Sequence, residues 1–133
     1  MYALWTLDRV RQADEVLGSG ELGAAISNAV VRIHADHHGR GPTRAKTYVF
    51  EDAILTVMEE GAAPVERTLA DAGDDELVQS IRSRVQDAIG GELKSAVEGI
   101  TERQVRAVVS GSQIEMDINC VVFLLEPEDE PTE

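Results

Sequence analysis

The sequence predicts an α+β domain of two layers: a four-stranded antiparallel sheet with helices packed on one face, in the order α-ββ-α-α-ββ. Three observations carry this expectation. Residues 21–38 and 74–99 repeat apolar side chains at helical spacing. Two pairs of β-rich runs, 45–59 and 104–125, each break at a short polar or glycine step. A short segment headed by Pro64 separates the first pair from the long helix.

In chain order, residues 1–18 form an extension in which Leu4, Leu7, Val10 and Leu17 suit a loose amphipathic helix outside the core. The domain proper spans 19–126. Ser19 is a candidate N-cap for a helix whose core stripe is Leu22, Ala25, Ile26, Ala29, Val30, Ile33 and His37. Gly39 and Gly41-Pro42 stop it. Ala24, Val31 and Ala35 lie on its opposite face and make a candidate subunit contact, with a dimer favoured. "AKTYVF-ED-AILTVMEE" reads as a hairpin whose loop exceeds two residues, since Glu51-Asp52 lacks Asn-Gly chemistry. Pro64 suits a first helical position, with Glu66 in the same turn and Gly73 as the end. Asp74 caps the long helix, whose stripe is Leu77, Val78, Ile81, Val85, Ala88 and Ile89, then Leu93, Ala96, Val97 and Ile100 beyond an expected kink at Gly90-Gly91. "QVRAVVS-GS-QIEMDINCVVFLL" reads as a second hairpin turning at Gly111-Ser112, with Asp117 and Asn119 on a solvated face. The apolar run from Cys120 to Leu125 implies cover on both faces. Residues 127–133 read as a disordered acidic tail.

The net charge of −13 opposes nonspecific nucleic-acid binding and direct docking on anionic lipid. No apolar run approaches the ~18–20 residues of a membrane span, which excludes direct insertion. The start of the chain lacks a signal-peptide pattern, and a single cysteine allows no internal disulfide. The expected location is the cytoplasm.

All three histidines lie in "HADHHGRGPTRAK", residues 34–46. His34 and His38 stand one helical turn apart, the spacing of two imidazoles in helical zinc sites. A metal-dependent enzyme or metal sensor built on this pair is the alternative reading; Ala35 stands where the metalloprotease pattern needs glutamate. "GRGPTR" is not a phosphate loop, because its glycines follow a helix and precede a strand. It does gather charge: Arg32, Arg40, Arg44 and Lys46 face only Asp36 across residues 31–46. Arg40, Gly41, Pro42, Thr43, Arg44 and Lys46 are therefore the candidate ligand- or partner-binding residues, suited to a carboxylate, a phosphate or an acidic segment. No catalytic residues and no cofactor motif emerge. Cys120 falls in an apolar strand and is expected to be an inert buried thiol.

The helix ending in "GRGP", the strand that follows, "VMEEG", "VERTL", "LVQSIRSRV" and "VVFLL" together resemble one prokaryotic family over about residues 19–126. It is named for the C subunit of a Na+-translocating membrane-potential-generating system. Where the family tends to carry Leu-Thr before the short helix, this chain has Ala62-Ala63; where the family favours a Gly-Arg/Lys-x-Val turn, it reads "TERQV". The resemblance implies a soluble, noncatalytic accessory or regulatory protein, associated through a protein partner with the inner face of the membrane and with a cation-transport complex.

Overall fold

The computed structural model describes residues 19–39 and 41–128. Helix α1 (Ser19–His38) buries Ile26, Ala29, Val30 and Ile33. The buried stripe also takes in His34, and leaves Ala25 and His37 exposed, one position round the helix from the expected register. Gly39, at φ 78, closes the helix by donating its N–H to Ala35 O at 3.0 Å. The left-handed conformation costs glycine nothing, so the helix stops there.

Strands β1 (Arg44–Val49) and β2 (Ala53–Glu59) form the first hairpin, with Phe50, Glu51 and Asp52 as its loop. Helix α2 (Pro64–Asp71) starts on proline, as expected. Its N-cap Ala63 offers no side-chain oxygen; the Glu66 carboxylate instead reaches back to accept from Ala63 N at 2.9 Å. Gly73, at φ 84, turns the chain toward α3 (Asp75–Thr101), which Asp74 caps by accepting from Leu77 N.

Helix α3 runs unbroken through Gly90 and Gly91. Each glycine costs ~1 kcal/mol of propensity, but Ile89 and Leu93 on either side are wholly buried, and burial outweighs propensity. The buried stripe of α3 is Val78, Arg82, Ile89, Leu93 and Val97. Leu77 and Ala88 are exposed, and an arginine occupies a core position in their stead.

Strands β3 (Val105–Gln113) and β4 (Ile118–Leu125) complete the antiparallel sheet, ordered β1-β2-β4-β3. The second hairpin does not turn at Gly111-Ser112. Those residues stay in the ladder opposite Cys120 and Asn119, and the turn falls at residues 114–117. Asp117 makes that turn possible: it tolerates φ 52, and its N–H donates to Ile114 O at 3.0 Å.

Helices α1 and α3 pack on one face of the sheet. The core between the layers comprises Ile26, Val30, Ile33, Ile54, Met58, Ile89, Leu93, Val97, Val121 and Phe123, all essentially inaccessible. Because Val121, Phe123 and Leu125 point inward, parity sends Asn119 inward too. It lies on the helix side rather than on a solvated face. Cys120 points the other way and is half-buried, not sealed in the core. No described element covers that second face of the apolar β4 run. No described helix is long and apolar enough to cross a membrane. The expected N-terminal helix, and residues 129–133 of the acidic tail, lie outside the described residues.

Candidate functional site

The structure divides the "GRGPTRAK" residues between two environments. Gly41 turns the chain back over α1: a Cβ there would meet Val31 Cγ1 at 3.3 Å and Ala35 Cβ at 3.4 Å. The segment thus covers part of the small apolar back of α1 that the sequence offered as a subunit contact. Pro42 packs in turn against Gly61, where a Cβ would lie 3.4 Å from the proline ring. Thr43 starts β1, its N–H donating to Glu59 O at 3.1 Å and its hydroxyl to the Glu60 carboxylate. Arg44 and Lys46 point away from all of this, on the sheet face opposite the helices. Arg40 lies outside the described residues.

Strand parity explains the split. Thr47 faces α1, where its hydroxyl hydrogen-bonds Ser27 Oγ at 2.7 Å, so Arg44, Lys46 and Tyr48 must face outward. Together with Thr43, Ala45, Val57 and Glu59 they line a shallow groove of about 440 Å³. Lys46 Nζ sits 5.7 Å from the centre of the Tyr48 ring, and Arg44 lies directly across the ladder from Glu59. β1 is an edge strand, so this basic rim borders solvent.

Behind Pro42 lies a second, buried constellation that the sequence reading did not assemble. Arg82 projects from α3 with only 4% of its side chain accessible. Its Nε donates to Glu66 Oε2 at 3.3 Å and its Nη2 to Asp117 Oδ1 at 3.1 Å. Asp117 Oδ2 accepts from Ala62 N at 3.3 Å. His38 Nε2 lies 3.3 Å from Glu66 Oε2. This cluster therefore ties together the end of α1, the start of α2, the third turn of α3 and the β3–β4 turn. Burial by itself would raise the Glu66 carboxyl, but the hydrogen bonds from His38 and Ala63 N and the charge of Arg82 pull it down to about 2.

The histidines do not form a metal centre. His34 Nδ1 donates to Val30 O at 2.8 Å, leaving Nε2 to accept from Gln86 Nε2 at 2.8 Å, so both ring nitrogens are committed. Burial holds His34 below the usual imidazole range, which keeps it in this neutral form. His37 faces out and pairs with Glu92 at 2.8 Å. Among the described residues, no three His, Cys, Asp or Glu side chains gather as a metal would need. His34 and His38 instead line a cavity of about 10 Å³ with Pro42, Met58, Gly61, Arg82, Gln86 and Asn119. That is room for about one water. Two of its lining residues carry a donor and an acceptor without protein partners, Arg82 Nη1 and Gln86 Oε1.

Two signals for this centre were present in the sequence. Arg82 stands four residues after Val78 and seven before Ile89, inside the apolar stripe where an unpaired charge would be costly. Glu66 stands three residues after an N-cap that has no oxygen of its own. Asp117 gave no comparable signal, because its role depends on where the hairpin turns.

No curated protein and no solved structure matches the chain. A family model does, over residues 18–127 of the 133, and on that match the chain belongs to the family described as the Na+-translocating membrane potential-generating system (MpsC).

Proposed function

We propose that this chain is a noncatalytic accessory or regulatory binding module of a membrane cation-transport system, working on the cytoplasmic side and held peripherally by a protein partner. The observation that carries the reading is the basic rim of β1. Arg44 and Lys46 are exposed on an edge strand of a chain whose net charge is −13, so an anionic group meets its most favourable surface there. Arg40, two residues before Pro42 in sequence, adds a third charge to the segment. Gly41, Pro42 and Thr43 serve as its frame: they fix the direction of β1 by packing on α1 and Gly61 and by holding Glu59 and Glu60. The ligand that suits this rim is a carboxylate-rich partner segment. Family membership supplies the system, and the homodimer expected from the sequence is retained in this reading.

The test is crosslinking in the native cell followed by purification of the chain. Wild-type protein is expected to retrieve integral subunits of a membrane transport complex. The triple variant Arg40→Ala/Arg44→Ala/Lys46→Ala is expected to lose that capture by at least about tenfold, equivalent to roughly 1.4 kcal/mol, with an unchanged thermal melt, since Arg44 and Lys46 are exposed. Undiminished capture by the variant would sink the assignment to this rim.

A further inference from the structure

We propose that the uncovered face of the sheet pairs with the same face of a second copy, about a two-fold axis running parallel to the strands. The face is apolar across its two central strands, and the row Arg44, Glu59, Ile118 and Gln113 closes it at one end. Its side chains can be read in rows from the ladder register. One row is Tyr48, Leu55, Val122 and Val109; the next is Lys46, Val57, Cys120 and Gly111; Leu124 and Ala107 continue it on the other side with Ala53. The two central strands present Ala53, Leu55, Val57, Cys120, Val122 and Leu124 with no polar residue between them. An antiparallel sheet with one face in water normally alternates apolar and polar positions. Here both parities are apolar, and Tyr48 and Val109 are 45% and 54% exposed.

The dimensions fit a second sheet. Four strands span roughly 19 Å and six or seven residues roughly 20 Å, a flat area of roughly 400 Å² per copy. Two copies present about 800 Å² as flat area, and side-chain relief brings this toward the roughly 1,200 Å² at which specific interfaces begin; a patch of this size often marks an interaction site. The first 18 residues are a poorer cover. Their apolar positions are interrupted by Asp8, Arg9, Arg11, Asp14 and Glu15.

Symmetry selects the orientation. An axis across the strands would lay β1 over its own copy and set Arg44 and Lys46 of both chains along the same edge, which like-charge repulsion opposes. An axis along the strands lays β1 over β3 of the other copy and β2 over β4. Tyr48 and Val109 stand at opposite ends of one row, so this operation sets each against the other and Leu55 against Val122. These are the two most exposed apolar side chains of the face, and the pairing covers both. Lys46 comes over Gly111, whose missing side chain leaves it room to reach solvent at the rim. The pairing covers Tyr48 and Val57 of the basic groove and leaves Arg44 and Lys46 at its rim; self-association is read without any partner, so it fails separately from the basic-rim reading.

The experiment combines sedimentation with site-directed crosslinking of the full chain. Wild-type protein is expected to be a dimer at micromolar concentration. Val109→Glu, at an exposed edge position outside the core, should weaken self-association at least tenfold while the circular dichroism and thermal melt stay those of a folded domain. In a Cys120→Ser background, Tyr48→Cys/Val109→Cys should be linked between chains by a short bifunctional thiol reagent. Within one chain the two positions are three strand spacings apart, roughly 14 Å, beyond the reach of a ~5 Å reagent. Three results would overturn the proposal: a wild-type monomer, whether bare or with the Trp5 emission of a covered N-terminal segment; a dimer indifferent to Val109→Glu; or a lone Tyr48→Cys variant that links as readily as the pair.

Discussion

Arg82→Ala is expected to destabilise the fold by about 3–5 kcal/mol, a large share of the stability of a domain this size. The loss does not come from the ion pairs as such. Removing the guanidinium leaves Glu66, which is 2% accessible, and the part-buried Asp117 without their common cation. Their remaining donors are Ala63 N and His38 for Glu66, and Ala62 N and the more distant Arg67 for Asp117. The side chain also fills space between α2 and α3, so a cavity adds to the electrostatic penalty. Urea unfolding followed by circular dichroism measures the difference. Two companions separate the causes. Arg82→Met keeps the volume and loses the charge, so it should recover little if stranded carboxylates dominate. Arg82→Met/Glu66→Gln removes the charge on both sides and should be more stable than Arg82→Met alone. A loss below about 1 kcal/mol for Arg82→Ala would mean that water reaches this centre freely and that the elements it joins hold without it.

The architecture was readable because it depends on periodicity, and periodicity survives small errors of phase. The helical stripe of α1 was displaced by one position, exposing Ala25 and burying His34, yet the element and its direction were unaffected. The two hairpins were legible from their paired β-rich runs; that they join through β2 and β4 is shown by the structure alone. The misreadings share a cause: each concerned a residue whose environment is set by a distant element. Gly111-Ser112 has turn chemistry, but Asp117 has an arginine from α3 to hold it and takes the turn instead. Asn119 followed Asp117 onto the wrong face because the turn was misplaced. In the candidate site, Arg44 and Lys46 were legible as a local excess of charge. That Gly41 and Pro42 face inward, while those two side chains face outward, is a matter of strand parity beyond the turn. His34 drew attention as a possible metal ligand; the glutamine that occupies its second nitrogen lies 52 residues away.

Acid is expected to unfold this protein in two steps, the larger of which belongs to Glu66. The groups that face it are His38 from α1, Ala63 N at its own helix start, and Arg82 from α3, with Asp117 on the far side of the guanidinium. Its carboxyl is held at about 2 in the fold against an ordinary value of 4.5. Below 4.5 the unfolded chain takes up a proton at this position and the folded chain does not, so falling pH favours unfolding. The stabilisation is complete above about pH 4.5 and is lost as pH falls toward 2. A depression of this size corresponds to at most about 3 kcal/mol. His34 adds an earlier, smaller step of the same sign. Its pKa is lowered by burial, so the unfolded imidazole protonates first as pH drops through 6.5, and the folded ring resists because burial, helped by His38 and His37 nearby, disfavours its charged form. Urea midpoints recorded from neutral pH down to about pH 2 test both steps. Glu66→Gln should be less stable than wild type above pH 4.5 and should show a flatter decline below it, so that the two curves converge as the glutamate protonates. Parallel curves through that window would show that Glu66 is not the group the fold holds ionised, and the acid step would then have to be sought among the exposed carboxylates that crowd this chain.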